Sequence, residues 1–144
     1  MASVPFHYLD IRAFCYATED PVRVEAAVGT LLPPDVELDR EQSSGHHGDP
    51  ITVLSTRIET ADEMRSVLDQ ILTMDTIEAV RGALAERIAE DCSFFMRIDK
   101  QRAYEGEVVL GPGIQIRGKV EAYPAKRENA ISNLDEYLTE GETD

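Results

Sequence analysis

The sequence lacks the features that mark an exported or membrane-spanning chain. No apolar run approaches the roughly 20 residues that a membrane helix needs, and the opening MASVPFHYLD has neither a basic stretch nor a long apolar one. Only two cysteines occur in 144 residues, and Cys15 and Cys92, far apart in sequence, are most simply small buried thiols of a reducing compartment. These absences predict a soluble, cytoplasmic protein.

Lysine is also scarce. The chain has 28 acidic and 14 basic residues, for a net charge of −14, and 11 of the basic residues are arginine. Acid excess combined with few lysines is the composition expected of a protein adapted to a cytoplasm near molar salt, where surface carboxylates keep the chain hydrated and soluble. At about 1 M salt the Debye length is roughly 3 Å, so self-repulsion costs little. The net charge therefore indicates a halophilic habitat rather than a class of partner.

The positive charges are unevenly distributed. Residues 97–127 carry seven cations and four anions, whereas residues 1–96 have a net charge of −11 and residues 128–144 contain no cation. One segment thus escapes the acidic bias, which indicates a local role for its arginines and lysines.

Residue patterning predicts a two-layer α+β domain with a mostly antiparallel sheet covered on one face by helices. The predicted order is β-α-β-β-α-α-β-β-β-α, with the first strand over residues 6–16, a short strand at Val36 and Leu38, and a last hairpin of residues 107–110 and 114–123. Asp20-Pro21, Thr60 with Glu63, and Asp75 with Glu78 are helix-start signals. We expect one domain over residues 1–139 and a frayed acidic tail over residues 140–144.

Alternation along the predicted strands separates two faces of the sheet. The face expected beneath the helices is apolar and contains Leu9, Ile11, Phe94, Met96, Ile98, Ile114, Ile116 and Val120. The other face mixes aromatic and basic residues: Tyr8, Arg12, Phe95, Arg97, Gln115, Arg117, Lys119 and Tyr123, beside Asp10 and Glu121. An open face of this kind is able to stack unpaired bases and neutralise phosphates. It is equally the ordinary polar surface of a one-sided sheet.

Two further segments are candidates for function. In Gly45-His46-His47-Gly48-Asp49-Pro50 the histidines suit a glycine-permitted turn, a nucleic-acid-binding loop or a metal site, in that order, because no HExxH or CxxC pattern accompanies them. Asp99-Lys100-Gln101-Arg102-Ala103-Tyr104 is a charged turn or a grip on a phosphodiester backbone. No phosphate loop, nucleophile elbow or paired-carboxylate motif is present, so an enzyme is not predicted, and no cofactor or metal is expected.

Three ordered strings also resemble a known family. They are Arg12 through Thr18-Glu19-Asp20, then Gly45 through Ile51, then Phe94 through Gln101 with Tyr104 and Gly106. Together they resemble an archaeal RNA-binding protein family, described as a predicted exosome accessory subunit, over roughly residues 5–123. The resemblance implies a fold like that of the large-subunit ribosomal protein that binds the 5S-type RNA.

These observations leave three hypotheses. The first is a non-catalytic RNA-binding protein in RNA processing or degradation, with RNA and exosome subunits as partners. Its candidate RNA-binding residues are Arg12, His46, His47, Arg97, Lys100, Arg102, Tyr104, Arg117 and Lys119. The second is a protein–protein adaptor that uses the same sheet face, and a distant third is a metal-dependent hydrolase built on His46 and His47.

Overall fold

From Leu9 onward, buried side chains alternate with more exposed ones along the longest strand of the sheet. In the computed structural model, which describes residues 4–44 and 48–143, β1 spans Phe6–Tyr16. Leu9, Ile11, Ala13 and Cys15 are buried, whereas the side chains between them are half-buried or exposed. Because successive side chains of a strand point to opposite faces, β1 alone separates a core side from a solvent side.

Four further strands complete an antiparallel sheet. They are β2 (Asp39–Ser44), β3 (Pro50–Ile58), β4 (Ser93–Asp99) and β5 (Gly113–Val120). The spatial order is β2-β3-β1-β5-β4, and all four pairings are antiparallel. The predicted α+β fold with an antiparallel sheet is confirmed.

Six helices accompany the sheet in the described residues: α1 (Pro21–Gly29), α2 (Ala61–Leu72), α3 (Ile77–Gly82), α4 (Leu84–Arg87), α5 (Lys100–Tyr104) and α6 (Arg127–Thr143). Two of the predicted starts are confirmed. The Asp20 carboxylate accepts a hydrogen bond from the backbone N–H of Val22 at 3.0 Å, with proline at the start of α1. The Thr60 hydroxyl accepts from the N–H of Glu63 at 3.4 Å and donates to its carboxylate at 2.8 Å. None of these helices is long and apolar enough to cross a membrane.

The core lies between the apolar sheet face and the helices. Every residue predicted for that face is buried. Opposite them lie Met64, Val67, Leu68 and Ile71 of α2 and Leu134 and Leu138 of α6. The rings of Phe6 and Phe94 meet edge to face with 6.0 Å between their centroids, a favoured geometry for an aromatic pair. Ser93 is the one buried polar residue among the described positions.

Several element bounds differ from the sequence predictions. The second strand begins at Asp39, after the predicted Val36 and Leu38, and all six of its residues are exposed. It has no apolar face because it is an edge strand held by backbone pairing with β3. Residues 107–110 contribute only an isolated bridge, Ile98 to Leu110, to the other edge. The predicted hairpin strand there was wrong.

The helical predictions also need correction at two places. A helix does begin at the signal of Asp75 and Glu78, but the N-cap residue of α3 is Thr76 rather than Asp75, and no side-chain hydrogen bond caps the helix. The helical spacing of Ile77, Val80, Leu84 and Ile88 in the sequence predicts one helix, but a break at Ala83 separates α3 from α4. Residues 100–104, predicted as a turn, form α5, because the Asp99 carboxylate caps the N–H of Arg102 at 2.9 Å.

Candidate nucleic-acid interface

The face of the sheet opposite the core, called the outer face below, carries a row of long polar side chains. Register places Arg12 of β1 opposite Gln115 of β5, and Gln115 opposite Arg97 of β4. Since neighbouring strands lie about 4.8 Å apart, the backbones at the two arginines are separated by roughly 10 Å. The next outward row places Asp10, Arg117 and Phe95 side by side. The alternation argument therefore located this cluster correctly.

One acidic residue of the outer face is already neutralised. Arg57 of β3 donates to both carboxylate oxygens of Asp10, at 2.8 and 3.0 Å. That hydrogen bond, together with the charge of Asp10, raises the pKa of Arg57. The Arg57 guanidinium carbon also lies 4.0 Å from the centroid of the Tyr8 ring. Arg57 thus neutralises the Asp10 carboxylate and covers one face of the Tyr8 ring.

The remaining arginines of the outer face have no acidic partner among the described residues. Arg12 and Arg97 are exposed, and no hydrogen bond or ion pair joins either side chain to residues 4–44 or 48–143. The Arg117 guanidinium carbon lies 5.4 Å from the centroid of the Phe95 ring, which is 46% exposed. Three guanidinium groups and an open aromatic ring are therefore available to an external ligand.

Lys119 lies at the end of this face and is tied to the protein. Its ammonium donates to the backbone carbonyl of Asp91, just before β4. The Asp91 carboxylate accepts hydrogen bonds from Ser93, which lower its pKa, and the charges of Lys119 and Arg117 add to that effect. Lys119 lies on the outer face as predicted, but its ammonium group is partly engaged by Asp91, the residue that precedes the start of β4.

The predicted grip around α5 lies elsewhere. The Lys100 ammonium donates to the Phe14 carbonyl at 2.8 Å and to the Glu19 carboxylate at 2.7 Å, and its side chain is only 15% exposed. A Cβ on Gly113 would lie 2.4 Å from the Lys100 Cβ, so the lysine stem is packed as well. Lys100 joins α5 to the turn after β1 and does not extend from the outer face.

Arg102 and Tyr104 belong to the surface formed by α5 and α1. Arg102 donates to the Glu107 carboxylate at 2.7 and 3.2 Å, and this hydrogen bonding raises its pKa. Tyr104 is 44% exposed, with the Arg23 guanidinium carbon 5.6 Å from its ring centroid. The structure therefore does not unite these residues with the arginines of the sheet.

The two histidines of the candidate loop lie outside the described residues. Described residues on either side, Ser44 and Pro50, pair across the β2–β3 hairpin. Within the part of the chain that the structure does describe, no group of three or more His, Cys, Asp or Glu side chains is arranged to hold a metal ion. The role of His46 and His47 stays a prediction.

Comparison with known proteins decides the family. The profile of a family described as "RNA binding" matches residues 8–120, which covers four strands of the sheet completely and all of β1 except its first two residues. The chain is also 35% identical to RNA-binding protein PAB1135 of Pyrococcus abyssi over 147 aligned positions, covering 94% of this chain and 95% of the other. This chain belongs to that RNA-binding family.

Solved structures agree with the assignment. A DUF54 protein of Methanothermobacter thermautotrophicus, Mth689, superposes with a TM-score of 0.79 at 35% identity, covering 92% of this chain and 98% of that one. Protein AF2318 of Archaeoglobus fulgidus, also from family DUF54, gives 0.81 at 30% identity, covering 92% and 99%. The sheet that carries the outer face is therefore the shared architecture of these proteins.

In this family member, the outer face bounds a shallow concavity of about 1060 Å³. Two lining arginines were absent from the sequence-based site. Arg57 follows the β3 alternation and could have been found by parity, since Leu54 and Ile58 mark the opposite face. Arg87 comes from α4 and reaches the concavity only through tertiary packing, so no local pattern indicates it.

Proposed function

We propose that this chain binds RNA without catalysing a reaction, and that the RNA lies across the outer face of the sheet. The observation that carries the proposal is the set of unpaired guanidinium groups of Arg12, Arg97 and Arg117 beside the exposed ring of Phe95. Guanidinium groups bind phosphate oxygens through several donors at once. An exposed ring on a sheet is a stacking platform for an unpaired base.

The charge of the whole protein makes this local arrangement informative. A chain with a net charge of −14 repels RNA from most of its surface. The outer face is a cationic exception, because Arg57 neutralises Asp10 and leaves the neighbouring arginines uncompensated. On the β2 side of the same face, Asp39 and Glu41 are exposed. We infer that the RNA lies toward β1, β5 and β4 and avoids the β2 edge.

A high-salt setting adds a constraint on how binding works. The scarcity of lysine supports a haloarchaeal cytoplasm as the working environment. Counterion release contributes little to affinity at high salt, so stacking and short hydrogen bonds must supply most of it. Arginine suits this requirement because its planar group both stacks and donates.

The biological setting we propose is RNA processing or degradation in association with the exosome. The support is the resemblance of the three sequence strings to a family described in those terms. The α5–α1 surface, with Arg102 and Tyr104, is separate from the outer face and is open for such a protein partner. If RNA-independent partners are lost when the outer face is altered, that face serves as a protein-docking surface instead.

The test compares two charge-matched double variants. Arg12→Ala with Arg117→Ala removes two cations from the outer face, and Arg23→Ala with Lys126→Ala removes two exposed cations from elsewhere. Binding of a labelled single-stranded RNA is measured by fluorescence anisotropy over a series of KCl concentrations. For the outer-face pair we expect weaker binding and a salt slope reduced by about 0.7 for each phosphate that the protein no longer neutralises.

The control pair should leave both affinity and slope close to those of the wild type. Equal losses in the two double variants would show that only net charge matters and would refute the placement. Circular dichroism confirms that each variant is folded, which we expect because surface substitutions usually change stability by less than about 0.5 kcal/mol.

A further inference from the structure

Two aromatic rings on the outer face each have an arginine against one side. The Arg57 guanidinium carbon lies 4.0 Å from the centroid of the Tyr8 ring. The Arg117 guanidinium carbon lies 5.4 Å from the centroid of the Phe95 ring. Tyr8 is half-buried and Phe95 is exposed, so both rings also reach solvent. The outer face therefore carries a second aromatic platform, Tyr8, in addition to Phe95.

The Tyr8 ring is held in place by contacts that cross from β3 to β1. Asp10 and Arg57 are register partners on these strands, and two hydrogen bonds of 2.8 and 3.0 Å fix the guanidinium to the carboxylate. The fixed guanidinium lies against Tyr8, close enough for a cation–π contact. A ring that is positioned before binding loses less side-chain freedom when a ligand stacks on it. This arrangement gives an acidic residue a role within a cationic face: Asp10 positions Arg57, and Arg57 positions Tyr8.

The register of the sheet determines how far apart the two aromatic residues lie. Tyr8 of β1 pairs with Lys119 of β5. Lys119 pairs with Ser93 of β4, and Phe95 follows two residues later. Neighbouring strands are about 4.8 Å apart and successive residues rise about 3.4 Å, so the Cα atoms of Tyr8 and Phe95 are roughly 12 Å apart. Successive nucleotides of one strand of a DNA helix rise only about 3.4 Å. A strand that covers both rings therefore has to leave its helical stack.

Cations of β5 lie between the two rings. Arg117 stands beside Phe95, and Lys119 stands beside Tyr8. The Lys119 ammonium donates to the Asp91 carbonyl, whereas Arg117 is exposed and has no acidic partner among the described residues. Guanidinium donors suit phosphate oxygens. A phosphodiester that joins two separated bases on this face would therefore pass over Arg117.

We propose that the outer face binds single-stranded RNA with two bases splayed apart, one stacked on Tyr8 and the other on Phe95, and with the backbone between them lying over Arg117. The second base site rests on the proposed RNA-binding function and extends it to a preference among strands. Bases that stack on one another have to be unstacked before they reach both rings. Strands that stack poorly, such as oligouridylate, are therefore favoured over oligoadenylate and over a duplex.

The first experiment removes each ring in turn. Tyr8→Leu and Phe95→Leu keep an apolar side chain, and the control Tyr123→Leu removes a tyrosine that is 82% exposed and lies beyond the end of β5. Binding of a labelled oligouridylate is measured by fluorescence anisotropy on variants that circular dichroism shows to be folded. We expect each outer-face variant to bind about tenfold more weakly, because one base stack is lost, and the control to bind like the wild type.

The double variant tests whether the two rings act as separate sites. Because the two positions are more than about 10 Å apart, the losses should multiply when Tyr8→Leu and Phe95→Leu are combined. A Tyr8→Leu variant that is folded and binds as tightly as the wild type would refute the second base site.

The second experiment uses only the wild-type protein, so its result does not depend on whether a variant folds. Its probes are an oligouridylate, an oligoadenylate of the same length and a short RNA duplex, each compared at the same KCl concentration. We expect the oligouridylate to bind most tightly, because its bases separate most easily. Binding of the oligoadenylate or of the duplex that is as tight or tighter would overturn the proposal.

Stacking on the two rings also has a direct readout. In NMR spectra of the complex with oligouridylate, nuclear Overhauser contacts should join uracil protons to the ring protons of both Tyr8 and Phe95. Contacts to Phe95 without contacts to Tyr8 would refute the second base site. If Tyr8→Leu is neutral while Arg12→Ala with Arg117→Ala abolishes binding, the second base site fails and the outer-face function stands. If neither change weakens binding, the outer-face function fails as well.

Discussion

Lys100 provides a strong test of the structural reasoning, because the sequence predicts that it binds RNA and the structure ties it to the protein. Its ammonium group donates to Phe14 and Glu19, which are 86 and 81 residues away in sequence. We therefore expect Lys100→Met to lower stability while leaving the outer face, and RNA affinity measured on folded protein, unchanged.

The size of the stability loss expected for Lys100→Met follows from how exposed Lys100 and Glu19 are and from the hydrogen bonds that the ammonium group makes. Hydrogen bonds to charged groups contribute about 1.5–3 kcal/mol, and removing one member of a fully buried ion pair costs about 3–5 kcal/mol. Here the two side chains are 15% and 29% exposed, so water partly replaces the lost ammonium. We expect a loss of about 2–3 kcal/mol in the free energy of unfolding, which lowers the melting temperature by roughly 6–9 °C.

The assay is urea unfolding followed by circular dichroism, at one KCl concentration that keeps the wild type folded. Arg102→Met is the control, because its pair with Glu107 is 51% and 56% exposed and should contribute no more than about 1 kcal/mol. A double-mutant cycle with Glu19→Gln should give a coupling energy of about 1–2 kcal/mol between Lys100 and Glu19. Unchanged stability of Lys100→Met together with weaker RNA binding would refute this reasoning and restore the sequence-based assignment of Lys100 to the RNA-binding site.

Three further predictions concern packing, pH and salt. A Cβ on Gly118 would lie 2.6 Å from the Phe6 ring, whereas nothing lies within 4 Å of a Cβ on Gly29. Gly118→Ala should therefore lower the free energy of unfolding by about 1–3 kcal/mol, and Gly29→Ala should not lower it, as chemical denaturation will measure. The pKa of Asp91 lies below its ordinary 3.8, chiefly because of the hydrogen bonds from Ser93. The ionised Asp91 carboxylate therefore stabilises the fold fully above pH 3.8, and this stabilisation is lost as the pH falls toward the lower pKa of the folded state. Ser93→Ala should raise the pKa of Asp91 in an NMR titration. Finally, the melting temperature should rise with KCl, because salt screens the repulsion among 28 acidic residues; a melting temperature independent of salt would contradict the halophile proposal.

The composition of the two sheet faces was predictable from the sequence. Side chains alternate with a period of two in any strand, so the buried series Leu9, Ile11 and Ala13 also determines where Tyr8 and Arg12 point. The same argument placed Arg97 and Arg117 on the outer face. The cap at Asp20 was equally accessible, because its signal spans only adjacent residues.

Edges and junctions were not predictable in this way. β2 has six exposed residues and no alternating apolar pattern, and it is a strand only because β3 supplies its hydrogen bonds. The segment at 107–110 has a strand-like composition and forms a single bridge, because α5 positions it at the end of β4. Backbone pairing at an edge depends on the neighbour that is present, and local composition does not reveal that neighbour.

The sequence by itself determined the fold class, the two faces of the sheet and the concentration of positive charge on one of them, because these depend on periodicity and composition. Only the tertiary structure decided which of the cations are free. It paired Arg57 with Asp10 across two strands, committed Lys100 to Glu19, and brought Arg87 from a helix to the concavity of the outer face. Electrostatic partners are chosen by distance in space, and these partners lie far apart along the chain.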